Sequence, residues 1–424
     1  MVPERVKRRN FFLGVINGIL VNGGEAFLHS GLVMAPFLAS IGAPAVVIGL
    51  VPALRVGTWF LPQLLVANRI SPEPLKLRFY HFTSTVRTLA LLTMTASVFF
   101  IGSGRPALMT TILLVMITIN AMAGGIGGVP FADVTAKIVP HARLGTFWAL
   151  RNSIGGILAL GAGFVLRAVL ESDIGFPNNF GLIFLLGTIL SGLAYASFSL
   201  VKEPRGVPGL KRPLVGMLRE IPALLRVDVG LRRFLRVRFL GLAALLAEPF
   251  YAVYAITKLG APESAIGVYV MAATAATIVG NYAFRLPADG GRNVFVMQVG
   301  YFSLLAAPLA ALLIHDWRLY SVVFVLSSVG NAGVGIAAWN LLYAIAPVHD
   351  RSLYIGLSNT VLALPSLAPV AAGILIPFVG MPALFGLAVL MAAITVSFSF
   401  RFGALRAADK RALSAATSGG EAEL

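Results

Sequence analysis

The sequence predicts an all-α membrane protein in which twelve transmembrane helices form two pseudo-symmetric bundles of six. Three observations carry that prediction. Of the 424 residues, 58% are hydrophobic and only 12% are charged, with a mean hydropathy of +0.87; a soluble chain carries about 25% charge. The apolar residues fall in runs long enough to cross a bilayer, which takes about 20 residues as helix. Two sequence segments also recur in the second half of the chain in the same order.

The runs are set apart by Pro, Gly and charge. The first, 11–39, follows the basic "RVKRRN" and imitates a secretory signal. No small-residue cleavage site comes after it, so it reads as an uncleaved span. A "GAP" turn opens the second, 44–67, which "NRISPEPLK" closes; the third, 80–102, stops at "GSGRP"; the fourth, 106–130, runs into "FADVTAKIVPHARLG". The fifth and sixth, 146–169 and 179–201, flank "ESDIGFPNN". After a basic interval the runs resume at 235–257, 264–286, 293–314, 318–346, 352–378 and 381–401. The expected domains are therefore an N-terminal bundle at 1–201, a cytoplasmic linker at 202–233, a C-terminal bundle at 234–402 and a disordered cytoplasmic tail at 403–424. Within the linker, Leu214, Met217, Leu218, Ile221, Leu224 and Leu225 recur at helical spacing among basic residues, the pattern of an interfacial helix on anionic headgroups.

The net charge of +16 would raise nucleic acid as a partner in a soluble protein. Here 26 of the 33 Lys and Arg residues fall at the N-terminus, the C-terminus and alternate connections, against four on the opposite side and three within spans. That is topogenic charge, which places both termini and the linker in the cytoplasm and the protein in the cytoplasmic membrane. No nucleic-acid partner is expected.

The repeats give the internal symmetry. "GAPAVVIGL" at Gly42 returns as "GAPESAIGV" at Gly260, each just before an even-numbered span. "IVPHARLGTFWALRN" at Ile138 returns as "IAPVHDRSLYIGLSN" at Ile345, pairing Pro140 with Pro347 and Asn152 with Asn359. The two halves thus run in the same order and orientation.

Together with Asp133 in "FADVTAKIVPHARLG", Pro140 followed by Arg143 and Gly145, "KEP" at Lys202 to Pro204, and Pro347 followed by Arg351 and Gly356, this pattern resembles the major facilitator superfamily. The resemblance covers about residues 10 to 402 and implies two six-helix bundles that rock about a central substrate site. In the loop after the second span, "LLVANRISPEPLKLR" keeps Asn68, Arg69 and Lys76 but lacks the family's Asp, whereas "LPADGGRN" retains Asp289, Gly291 and Arg292. The Gly-Pro signature of antiporters is missing from "GGILALGAG" in the fifth span, and Ala368-Pro369 stands in the eleventh, which leaves the direction of transport open.

Of 17 acidic residues only Glu25 and Glu248 fall deep inside spans. A charge at bilayer depth is costly, so such groups face a cavity, pair, or take up a proton; both are candidate proton carriers. "GGEAF" and "LAEPF" place one glutamate in the leading span of each half. The resemblance implies that the first and seventh spans line the central cavity.

At helical spacing Gly18, Asn22, Glu25, His29 and Pro36 form one polar stripe. Arg55, near the middle of the second span, reads either as a salt-bridge partner that holds Glu25 ionised or as the recognition group for an anionic substrate. Arg87 and Arg151 lie within about two turns of the cytoplasmic ends, where snorkelling is the common behaviour. The candidate substrate-binding residues are Asn22, His29, Arg55, Asn120, Tyr251 and Asn331; the glycines beside Asn120 and Asn331 read as close helix packing. Asp133 with Arg143, and Asp289, Arg292 and Arg351 in the second half, read as a conformational latch.

With no cysteine, no HExxH pair and no phosphate-binding loop, neither a metal, a cofactor nor an enzyme activity is expected. The expected function is secondary active transport of a small organic, hydrophobic or amphipathic solute by alternating access, proton-coupled and directed outward. The alternatives are a lipid or amphiphile flippase and an uptake symporter for an organic anion. Expected partners are the substrate, protons and membrane lipids, with the protein acting as a monomer.

Overall fold

The computed structural model describes residues 3–70, 72–140, 143–206, 224–347 and 351–401, together with Leu405 and Asp409. Among the described residues each expected span is built of helix, with interruptions in some of them. The first span comprises Glu4–Phe27 and Ala35–Ser40 with a single π turn, Ser30–Met34, between them. Ala45–Ile70, Leu77–Ile101, Pro106–Ile138, Leu144–Glu171 and Asn178–Ser199 follow as the second to sixth. The seventh is Val229–Ala244 and Tyr251–Lys258 joined by a tight 3₁₀ turn, Leu245–Phe250, and the eighth to tenth are Ala265–Asp289, Asn293–Leu313 and Ser321–Ile345. Arg351–Ala363, Pro365–Leu367 and Ala368–Ser399 complete the chain of helices. Among the described residues ten stretches are long and apolar enough to cross a membrane; Ala45–Phe60 of the second span is a shorter apolar helix. The stretch Tyr354–Ser399 holds two crossings, because Gly380 breaks it with φ 78° and ψ 165°. Only glycine adopts such a backbone without strain. Twelve crossings result, as the apolar runs predict.

The repeated segments fold alike. Gly42 and Gly260 take positive φ of 78° and 70°, and each is followed by Ala-Pro and then a helix that begins at Ala45 or Ala265. The fourth and tenth spans end at Ile138 and Ile345, the fifth and eleventh begin at Leu144 and Arg351, and both boundaries recur 207 residues apart.

The chain divides into two compact units, residues 1–214 with 261–271, and residues 215–260 with 272–424. In the first, Val15, Tyr80, Val134, Phe147 and Phe198 form a buried cluster. The short segment 261–271 groups with this unit because Gly163 and Gly267 let the two backbones meet: a Cβ on either would press on the other's carbonyl. Glu263 then accepts hydrogen bonds from Ser40 Oγ at 3.2 Å and Asn179 Nδ2 at 3.5 Å. The second unit is built on Leu231, Phe234, Met297, Tyr301, Val334 and Tyr354. Large apolar side chains such as Phe82, Phe100, Ile157, Tyr282 and Phe378 remain exposed on the two units. Water would penalise that surface, whereas acyl chains are its natural solvent.

One end of the first unit is closed by charge. Asp133, near the end of the fourth span, pairs with Lys76 and Lys137 at 2.7 Å each, and Lys137 pairs in turn with Glu203 at 2.7 Å. Glu203 also accepts from the backbone N–H groups of Lys76 and Leu77, at 2.9 and 2.7 Å, which caps the third span. The partners of Asp133 are therefore these lysines and not Arg143, which is exposed and makes no side-chain hydrogen bond among the described residues. The sequence paired Asp133 with Arg143 because they are near in the chain; Lys76 comes from a loop 57 residues away.

Most of the expected interfacial helix, including Leu214, Met217, Leu218 and Ile221, lies outside the described residues. Leu224 and Leu225 pack against the core of the second unit. The expectation of a disordered tail from residue 403 fails at the two described positions. Leu405 is fully buried, and the Asp409 carboxylate accepts from Asn293 N–H and Nδ2, at 2.8 Å each, at the start of the ninth span.

Two stability predictions follow from the packing and the charge network. A Cβ on Gly330 of the tenth span would lie 2.8 Å from the Gly300 carbonyl of the ninth, so Gly330→Val is expected to cost about 1–3 kcal/mol by overpacking. Gly335→Ala, with open space around it, should cost nothing. Glu203→Gln, which takes the charge from a side chain only 2% exposed, should cost about 1–3 kcal/mol. Thermal unfolding in detergent micelles measures all three.

Candidate functional site

The first span is interrupted where its polar residues lie. The α-helix ends at Phe27, His29 is extended (φ −66°, ψ 123°), and helix resumes only at Ala35. Such a break frees backbone groups that have no water to turn to inside a bilayer. Side chains satisfy them. Arg55 Nη1 donates to the Leu28 carbonyl at 2.8 Å, and His29 Nδ1 accepts from the Leu32 N–H at 3.1 Å. Because Nδ1 accepts, the proton of a neutral His29 sits on Nε2, and a second proton would cost the bond to Leu32. The other arm of Arg55 donates to Glu25 Oε2 and forms a salt bridge. Of the two readings of Arg55, pairing with Glu25 is the one this structure contains.

Glu25 and Arg55 border a small pocket within the first unit, with Asn120, Ser191 and Tyr195 as its other polar walls and Leu28, Met34, Leu91 and Ile117 as its apolar ones. Behind it stands Arg87. Its guanidinium lies 4.2 Å from the Tyr195 ring centroid and 5.6 Å from that of Trp59, and its buried Nε has no hydrogen-bond partner. Asn120 Nδ2 donates to the Arg87 carbonyl at 3.3 Å. Arg87 therefore turns into the bundle rather than snorkelling, since two aromatic faces offer a cation–π seat there.

Arg151 also turns inward. It is 7% exposed, donates to the Gly14 carbonyl and to Asn17 Oδ1, and lies against the rings of Phe131, Phe147 and Trp148. A Cβ on Gly18 would strike its side chain. Asn22 shares this side: its Nδ2 donates to the Gly18 carbonyl at 2.8 Å and to the Arg151 carbonyl at 3.4 Å. The polar stripe is divided among different partners, and only its first three residues stand on unbroken helix. Gly18 and Asn22 meet the fifth span, Glu25 meets Arg55, and His29 lies beyond the helix end.

In the second unit the seventh span begins at an Asp228 cap, whose Oδ1 accepts from Leu231 N–H at 2.9 Å. Its 3₁₀ turn contains Glu248 and Pro249. Glu248 Oε1 accepts from Ser327 Oγ at 3.1 Å and Asn331 Nδ2 at 3.2 Å. The two donors stand one turn apart on the tenth span, so both face the carboxylate. No cation bonds Glu248 among the described residues. Tyr251 is 4% exposed and packs edge-on against Phe385 and Phe324, with ring centroids 5.3 and 6.4 Å away. It is part of the core.

The structure thus joins Glu25 to Arg55 and places Asn120 at the same pocket, and it joins Glu248 to Asn331. It does not bring Asn22, His29 or Tyr251 into these pairs. Ser191, Tyr195, Arg87 and Ser327 are additions; Ser191 and Tyr195 at i, i+4 in the apolar sixth span are a signal the sequence offered. Of the second-half latch residues, Asp289 pairs with Arg285 at 3.5 Å on an exposed surface, Arg292 is exposed at the start of the ninth span, and the Arg351 side chain lies outside the described residues. Among the described residues no group of three or more His, Asp or Glu side chains is placed to hold a metal ion.

No protein-family model matches the sequence, and no curated protein matches it. Solved structures do. A variant of the nucleoside transporter NupG aligns over 94% of this chain and 99% of its own with a TM-score of 0.71 at 13% identity. A bacterial homologue of the iron transporter ferroportin in its inward-facing state aligns over 95% and 99% at 0.70 and 15%. A D-xylose-proton symporter aligns over 94% and 98% at 0.68 and 14%. At such identities the likeness is one of fold, and this chain shares the fold of these transporters.

Proposed function

We propose that the protein is a secondary active transporter that carries a small organic solute across the cytoplasmic membrane by alternating access, with proton movement through Glu25 and Glu248 and net export. The observation that carries this reading is the placement of one membrane-embedded glutamate at the helix break in the leading span of each half. The two are held differently. Glu248 receives hydrogen bonds from neutral donors only, so protonating it would break no ion pair. Glu25 faces a guanidinium, so protonating it would release Arg55 from its ion pair.

That release favours the organic-anion symporter as the second reading. A freed Arg55, with Arg87 seated nearby and short of one hydrogen-bond partner, would offer two guanidiniums to a carboxylate entering the Glu25 pocket. A flippase has no comparable support in the pocket, whose walls mix five polar residues with four apolar ones.

Proteoliposomes under an imposed pH gradient test both readings, screened with neutral, cationic and carboxylate solutes of small size. With the outside acid, a proton-coupled exporter drives its solute outward, whereas an anion symporter draws its solute in. Glu248→Gln and Glu25→Gln are each expected to lower gradient-driven transport by on the order of tenfold. Full gradient-driven accumulation in both variants would show that neither carboxylate carries the proton.

A further inference from the structure

The seventh span has a second feature, unconnected with Glu248. Near its start Arg232 and Arg236 stand one helical turn apart and so share a face. That face borders a cavity of about 580 Å³ in the second unit, walled by Leu235, Phe239 and Leu240 of the same span, Val361 of the eleventh and Phe398 of the twelfth. The two guanidiniums are its polar groups; the rest of the lining is apolar.

The charges here are not neutralised from within. Arg232 donates only to the carbonyls of Leu225 and Arg226, at 3.3 and 3.4 Å. Arg236 has no ion-pair partner among the described residues. Between 226 and 238 the chain has five arginines and a single acid, Asp228. Asp228 is committed elsewhere, to the Leu231 N–H and, at 2.6 Å, to the Tyr354 hydroxyl.

We propose that this cavity binds one anionic phospholipid, its phosphate on Arg232 and Arg236 and an acyl chain along the slot formed by Leu235, Phe239, Leu240, Val361 and Phe398. The chemistry selects that occupant. A soluble anion would gain nothing from the apolar walls, and an uncharged amphiphile would leave two cations without counter-charge where the span enters apolar sequence. A zwitterionic lipid would bring its own cation towards the arginines. Anionic headgroups are attracted to basic clusters at the membrane surface and to basic pockets between spans.

Delipidated protein in detergent, titrated with phosphatidylglycerol or with phosphatidylcholine of the same acyl chains, gives the test. Native mass spectrometry counts bound lipid, and thermal unfolding reports stabilisation. Wild type is expected to retain phosphatidylglycerol about tenfold more tightly than phosphatidylcholine. Arg236→Gln should remove most of that preference. Leu240→Trp keeps both arginines and fills the slot, and should lower the retention of both lipids. Glycerophosphate, which has the headgroup charge but no chains, should not stabilise the protein. Equal retention of the two lipids by wild type, an unchanged preference in Arg236→Gln, undiminished lipid retention in Leu240→Trp, or stabilisation by glycerophosphate equal to that by phosphatidylglycerol would overturn the proposal. Retention of neither lipid would do so as well, and would point to another occupant, such as the linker segment 207–223 of this chain.

Discussion

The first span cannot be a continuous helix, and the site in the first unit depends on how that interruption is satisfied. Between Phe27 and Ala35 the regular hydrogen-bond ladder is replaced by one π turn, which in a bilayer is tolerated only where protein groups take over for water. Arg55 performs two tasks at once: one arm binds the Leu28 carbonyl and the other binds Glu25. A guanidinium can do this because its donors diverge in a fixed plane. Structure and electrostatics are therefore coupled at a single side chain. Any event that removes the charge of Glu25 also changes the partner that helps hold the broken helix in place.

The second unit solves the corresponding problem without a cation. Its leading span is interrupted by a 3₁₀ turn around Pro249, and Glu248 within that turn is held by Ser327 and Asn331. Proline removes a backbone donor and blocks regular helix, so the break is written into the covalent structure. In the first unit the break has no proline until Pro36, after the π turn, and it relies on side chains. The two halves thus share the position of an acid at a helix discontinuity while differing in how each acid is held. The architecture recurs between the halves, and the local chemistry differs.

Much of this fold is legible in the sequence because a lipid solvent imposes simple rules. Apolar runs had to be long enough to cross, and Gly42, Gly260 and Gly380 had to sit where the chain reverses or breaks, since those backbones lie at positive φ. The boundary pairs Ile138 with Ile345 and Leu144 with Arg351 follow the repeat. The site was legible only in part. Helical spacing placed Asn22, Glu25 and His29 on one stripe; the break after Phe27 takes His29 out of it, while Asn22 and Glu25, which precede the break, meet partners from different spans. Arg87 and Arg151 looked like surface cations because the rings that hold them, Trp59 and Tyr195 in one case and Phe131 in the other, come from other spans. For the same reason Asp133 was matched to Arg143 nearby rather than to Lys76. Periodicity identifies faces, but partners are fixed by packing between distant segments.

Buried and half-buried cations of the first unit are held in two ways. Arg55, Lys76 and Lys137 each pair with a carboxylate from another element and tie the two together. Where none is available, the guanidinium is held by carbonyls and aromatic faces, as in Arg151 and Arg87. The second class keeps its full positive charge, because neither a carbonyl nor a ring neutralises it. The Glu25 pocket consequently has Arg55, compensated by Glu25, on its wall and Arg87, uncompensated, behind Tyr195. With Glu25 ionised these three side chains sum to one positive charge, and with Glu25 protonated they sum to two. A proton on Glu25 would therefore strengthen the pull of this pocket on an anion, through charges the protein already holds in place.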